Sequence, residues 1–155
     1  MNAANLLAAW GQALGLPELV LSDLGTAALL IDGTLTLNFE HEADAGRLLL
    51  YVSLGAPPVA EREACFARLL QANLFGHGSG GGHIGLDPER DELVLSRQLV
   101  LDHTDLPALE AAVEALIGAA RELRDALGRS EAGASPAAGH AEATAPSAEA
   151  FMLRA

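Results

Sequence analysis

Residues 73–87 read NLFGHGSGGGHIGLD and hold two histidines and five glycines within eight consecutive positions. Imidazoles at His77 and His83, with His41, Glu40 or Glu42 as further donors, would make a nitrogen–oxygen metal site able to activate water. Gly76, Gly78 and Gly81 satisfy the letters of a dinucleotide-binding turn, and Gly76 to Gly81 has the spacing of a phosphate loop. Ser79 lies among glycines as a nucleophile elbow would have it.

Each chemistry makes a demand on the flanking elements, and the demands are not met. A pyrophosphate turn needs a strand entering and a helix leaving, so that the positive helix end faces the anion. Here a helical pattern enters and a strand pattern leaves, which turns the dipole the wrong way. Gly82-His83 stands where a phosphate loop has Lys and Ser or Thr. Ser79 is one residue out of register for G-x-S-x-G, and no strand delivers it. Glycine between His77 and His83 does not fix two rings in one geometry, and no helical H-E-x-x-H pair exists. The run is expected to be a hinge, and a metal-dependent hydrolase using His77 and His83 is the weakest of the functional readings.

The elements around the hinge follow from periodicity. Ala3, Leu6, Leu7, Trp10 and Leu14 predict a first helix, stopped by Gly15-Leu16-Pro17. TAALLI (26–31), Asp32-Gly33 and TLTLNFEHE (34–42) predict a hairpin, since Asp-Gly suits the positive φ values of a tight turn. RLLLYVSLG (47–55) is apolar on both faces, as a central strand or one carrying a binding surface would be. Pro57-Pro58 opens a second helix with Phe66, Leu69, Leu70 and Leu74 in one stripe. HIGLD (83–87) and ELVLSRQLVLD (92–102) pair around PERD. A last helix is capped at Thr104 or Asp105 and carries a stripe from Leu106 to Leu127. The expected fold class is α+β in the order α-β-β-β-α-β-β-α, a twisted antiparallel sheet packed on helices. The domain spans 1–127. From 128 to 155 the composition turns to Ala, Gly, Ser, Pro and Glu and predicts a disordered tail ending in Phe151, Met152 and Leu153.

Composition narrows the function. The chain has a net charge of −12 and a pI near 4.6. Residues 1–128 carry 18 acids against seven arginines, so the acidity belongs to the folded part. Nucleic acid and anionic membrane are poor partners for such a surface. All nine basic residues are arginine, which excludes Schiff-base and phosphate-loop lysines. Cys65 is the only cysteine; it is read as a small packed thiol, with no disulfide within the chain. With neither a basic leader nor a long apolar run, the expected location is the bacterial cytoplasm.

The stretch LDPERDELVLSRQLVLDHTDLPALEAAVEALIGAARELRDAL (86–127) joins a short strand, an acidic turn, a long strand and an acid-capped amphipathic helix. With the leading helix, the Asp-Gly hairpin and a middle helix ending in NLF, it resembles the class I chaperones of bacterial type III secretion, the Tir-chaperone family. The resemblance covers about residues 3–127. It implies a homodimer paired through the middle helix and the following strand, which brings in Phe66, Leu69, Leu70, Leu74, Ile84 and Leu86. It also implies that the N-terminal segment of a secreted effector binds in extended form, by strand addition and by side chains dropping into apolar pockets. The pocket candidates are Leu30, Leu35, Leu37, Phe39, Leu49 and Tyr51, each with ordinary core as its alternative. No catalysis, metal or cofactor is implied, and the export ATPase is a candidate further partner. A regulator of the same fold that binds another regulatory protein is the second reading. Arg97 matches a family-typical position without an assigned chemistry. The tail's apolar end could dock on the chaperone's own groove or touch the export machinery.

Overall fold

The structure is a computed structural model and describes residues 2–133. Its elements run α1 (Ala3–Leu14), β1 (Thr26–Ile31), β2 (Leu35–Glu42), β3 (Arg47–Gly55), α2 (Arg62–Asn73), β4 (His83–Asp87), β5 (Glu92–Val100) and α3 (Leu106–Gly133). The order is the expected one. The five strands form one antiparallel sheet in the order β1-β2-β3-β5-β4, so β3 is central and β1 and β4 are edges.

Local chemistry sets the boundaries. The Asn2 side chain accepts from the Asn5 amide at 2.8 Å to open α1, and Gly15 closes it in the left-handed region. Asp32 and Gly33 both have positive φ, as the hairpin turn requires. Asp105 caps α3 by accepting from the Ala108 amide at 2.9 Å. Two boundaries differ from expectation. Helix α2 starts at Arg62 and not at Pro57-Pro58, because Glu61 takes a left-handed conformation just before it. Helix α3 continues through 128–133, which composition had given to the tail; GRSEA adds no helix-breaking proline to a helix already packed on the sheet. The tail's apolar end, Phe151 to Leu153, lies outside the described residues.

The sheet has two unlike faces. Leu35, Leu37 and Phe39 of β2, Leu48, Leu50, Val52 and Leu54 of β3, and Leu93, Leu95 and Leu99 of β5 point to one side and are buried. They are covered by Leu6, Leu7 and Trp10 of α1 and by Leu109, Val113, Leu116 and Ala120 of α3. Strict alternation sends Leu49, Tyr51 and Ser53 to the other side, where no helix of the described residues covers them. Helix α2 packs against β4, with Cys65 and Leu69 buried in the same core.

Candidate functional site

The glycine loop is a wedge. Ser79 is fully buried, and its hydroxyl donates to the Gly82 carbonyl at 2.6 Å. A Cβ on Gly80 would sit 2.3 Å from the Ala115 carbonyl oxygen of α3, and one on Gly82 would sit 2.4 Å from the Ser96 carbonyl oxygen of β5. Glycine is therefore required where the chain passes between helix and sheet. Arg97 reaches in from β5 and donates to the Gly80 carbonyl at 2.8 Å. This gives the arginine a role: it ties the loop to the sheet. His77 is exposed and its ring meets the Phe75 ring edge-on, with centroids 6.4 Å apart. His83 is exposed on β4 opposite Ser96. Among the described residues no three His, Cys, Asp or Glu side chains gather as a metal would need. Cys65 is buried in α2, and burial pushes its thiol up, away from a reactive thiolate.

Two surfaces remain open, one apolar and one of mixed polarity. The first lies between α2 and β4, a groove of about 280 Å³ lined by Phe66, Leu69, Leu70, Asn73, Ile84, Gly85, Leu86 and Leu93. Five of the six residues expected at the dimer contact thus line one groove. The sixth, Leu74, is 58% exposed at the end of α2. Asn73 makes the groove rigid: its amide nitrogen donates to the Ile84 carbonyl at 2.9 Å, and its oxygen accepts from the Ile84 amide at 2.7 Å. Phe75, 86% exposed with φ of 56°, projects beside Leu74. The sequence reading passed over Asn73 and Phe75. The signal for Phe75 was an aromatic directly ahead of a glycine run, a place where chains rarely leave a large apolar side chain uncovered.

The second surface is the helix-free face of the sheet. A groove of about 550 Å³ there is lined by Leu49, Tyr51 and Val94 with Asn38, Ser53, Asp87, Arg90, Glu92 and Ser96. Leu30, 62% exposed, stands outside this groove on β1. The polar rim is internally satisfied. Ser53 donates to Glu92, and Arg90 pairs with Asp87 at 3.0 Å. Asp87 also accepts from the Glu89 and Arg90 amides, and these bonds, the Glu89 amide first, hold its carboxyl below the usual range. The expected pocket set is corrected here. Leu35, Leu37 and Phe39 belong to the core, Phe39 against Trp10 of α1, and only Leu35 also lines a surface pocket, with Thr34 and with Arg121, Arg124 and Asp125 of α3. Val20 and Leu24, exposed in the loop before β1, were missed; a loop has no periodicity from which to read its outward side chains.

A single antiparallel sheet with helices packed on one face, an open opposite face and an apolar groove between α2 and β4 defines a protein-binding α+β module. The Tir chaperone protein (CesT) family matches residues 5–124, and the chain belongs to that family, the class I type III secretion chaperones. Solved structures agree. A chain of the ExsC–ExsE complex superposes with a TM-score of 0.68 at 25% identity, over 82% of this chain and 97% of that one. A chain of the Yersinia pestis type III secretion chaperone SycH in complex with a stable fragment of YscM2 gives 0.63 at 25% identity, over 77% and 98%. A chain of the heterodimeric ExoU–SpcU complex from the type III secretion system of Pseudomonas aeruginosa gives 0.63 at 24% identity, over 81% and 97%. No curated protein matches in sequence. Among the described residues no helix is long and apolar enough to cross a membrane.

Proposed function

We propose that this protein is a homodimeric type III secretion chaperone of the bacterial cytoplasm. It binds the N-terminal segment of a secreted effector in extended form and delivers it to the export apparatus, its ATPase included. The observation that carries the reading is the family match over residues 5–124 in a fold that leaves open an apolar groove and, separately, a sheet face of mixed polarity. One surface serves each partner. The α2–β4 groove suits a second copy, because it is apolar, its rim residue Leu70 is exposed, and the exposed Leu74 and Phe75 follow at the end of the same helix. The helix-free sheet face around Leu49 and Tyr51, with Leu30 and the edge of β1, suits the effector. The work asked of the chaperone is binding, so no catalytic group, metal or cofactor enters the proposal.

The test is a tagged pull-down from the native bacterium, with the complex mass taken by light scattering. The expected result is a dimer holding one secreted protein through its protease-sensitive N-terminal segment. A monomer without a partner would overturn the proposal.

A further inference from the structure

The free edge of β1 is not open along its whole length. The His41 amide on β2 donates to the Gly25 carbonyl at 2.8 Å. Antiparallel alternation then turns the backbone groups of Ala27, Leu29 and Ile31 toward β2 and those of Thr26, Ala28 and Leu30 outward. Thr26 is already engaged on that outward side. The Ser22 amide donates to the Thr26 carbonyl at 2.8 Å, and the Thr26 amide donates to the Ser22 hydroxyl oxygen at 3.2 Å. The two hydroxyls lie 2.9 Å apart, and the Gly25 amide closes the turn on the Ser22 carbonyl at 2.9 Å. One residue thus reproduces the pair of bonds an added strand would make. Ala28 and Leu30 are exposed, and no bond to their outward backbone groups is found among the described residues.

We infer that Ser22 sets the register of the incoming segment: it ends the accepting edge at Thr26, so that the client strand pairs with Ala28 and Leu30. The inference rests on the chaperone reading above and names what that edge accepts. Two outward-facing residues offer four backbone groups, matched by an extended segment of about five residues, the ordinary length of a strand. Its side chains would flank half-buried Leu29 and Ile31 on one face and exposed Leu30 on the other. The segment is therefore apolar on both faces at these positions. At the far end the turn is held in place, because Arg121 of α3 pairs with Asp32 and Arg124 donates to the Thr34 carbonyl at 2.8 Å. Ser22 also blunts an edge that would otherwise pair with any passing strand.

Amide exchange read by NMR tests this on the full chain, alone and bound to the N-terminal segment of the secreted protein that co-purifies with it. In the free protein the Thr26 amide is expected to exchange slowly and those of Ala28 and Leu30 fast. Ser22→Ala should make Thr26 fast, and Ser22→Thr should keep it slow, which a merely structural role for the loop would not produce. In the complex, Ala28 and Leu30 should slow by at least about tenfold. In the Ser22→Ala complex Thr26 should become protected again, as the client strand advances one pair and displaces the one bond that the residue 22 amide still makes to the Thr26 carbonyl. Ala28→Pro removes an outward donor on an edge strand and should weaken client binding about tenfold with an unchanged circular dichroism spectrum. A bound client that leaves Ala28 and Leu30 fast overturns the register inference and spares the chaperone reading. A Thr26 amide indifferent to Ser22→Ala also overturns it. The absence of any client overturns the reading beneath it, and the inference with it.

Discussion

Trp10 of α1 meets Phe39 of β2 edge-on, with ring centroids 5.8 Å apart and planes at 61°. The contact fixes which face of β2 belongs to the protein itself. Leu37 is fully buried on the same face of β2 as Phe39. Phe39→Ala is expected to cost about 3–5 kcal/mol, the range for emptying an aromatic core site. Leu37→Glu should prevent folding, since a carboxylate there would have no partner. Urea denaturation followed by circular dichroism checks both. A Leu37→Glu protein that folds normally would return that face of β2 to the binding surface.

Leu49 lies on the same sheet with the opposite fate. It is half-buried on the helix-free face, across from Glu40 and Gln98. Leu49→Glu should leave the fold and the dimer intact and lower client affinity by at least about tenfold, about 1.4 kcal/mol. Calorimetric titration against the N-terminal segment of the client measures this. An unchanged affinity would move the client off this face.

The contrast between Leu37 and Leu49 marks how far the sequence could be read. Alternation in TLTLNFEHE separates two faces of a strand, and the Asp-Gly turn and helix stripes fix the order of elements. Which face the helices cover is decided by residues far apart in the chain, Trp10 with Phe39 and Ala115 with Gly80, and no local pattern encodes it. The groove fared better: the stripe on the middle helix was legible by periodicity, and the family resemblance joined Phe66, Leu69 and Leu70 to Ile84 and Leu86, all five of which line one groove. The glycine run was legible as a connector by the order of its flanking elements. Its packing was not, because the reason for each glycine is a carbonyl oxygen in another element.

The α2–β4 groove predicts the oligomeric state. Leu70 is 69% exposed on its rim. Fully burying a leucine contributes about 1.5–3 kcal/mol, and a two-fold contact counts each substitution twice. Leu70→Glu is expected to yield a folded monomer by light scattering, with α2 still stitched to β4 through Asn73. A dimer that persists at micromolar concentration would show that the copies meet elsewhere.

Gly80 tests the wedge. Alanine there would drive its Cβ into the Ala115 backbone and would also have to hold a φ of 59°. Overpacking and backbone strain together are expected to cost about 2–4 kcal/mol. Gly118→Ala is the control, because a Cβ at that exposed position of α3 meets nothing within 4 Å. Thermal melts of the two variants should diverge clearly. Equal melting temperatures would mean that the loop moves aside without cost and that its glycines are incidental.

Acid pH should loosen the tie between α2 and the β4–β5 turn. Arg62, at the start of α2, bonds Asp91 through both terminal guanidinium nitrogens, one at 3.1 Å, and this hydrogen bonding holds the Asp91 carboxyl below its usual range. A carboxylate whose folded pKa is depressed adds stability that is fully present above its ordinary value and is lost as pH falls through the folded one. The tie is therefore intact at neutral pH and opens only below the ordinary aspartate value of 3.8. Because both side chains are solvent-exposed, salt screens the pair and its effect on global stability is small. The sensitive readout is local. An NMR titration of the Asp91 carboxyl should give a midpoint below that of free aspartate, and Arg62→Gln should bring it back up. A midpoint that stays low in Arg62→Gln would mean that something other than the guanidinium stabilises the carboxylate, and that α2 is held to the turn by its apolar contacts alone.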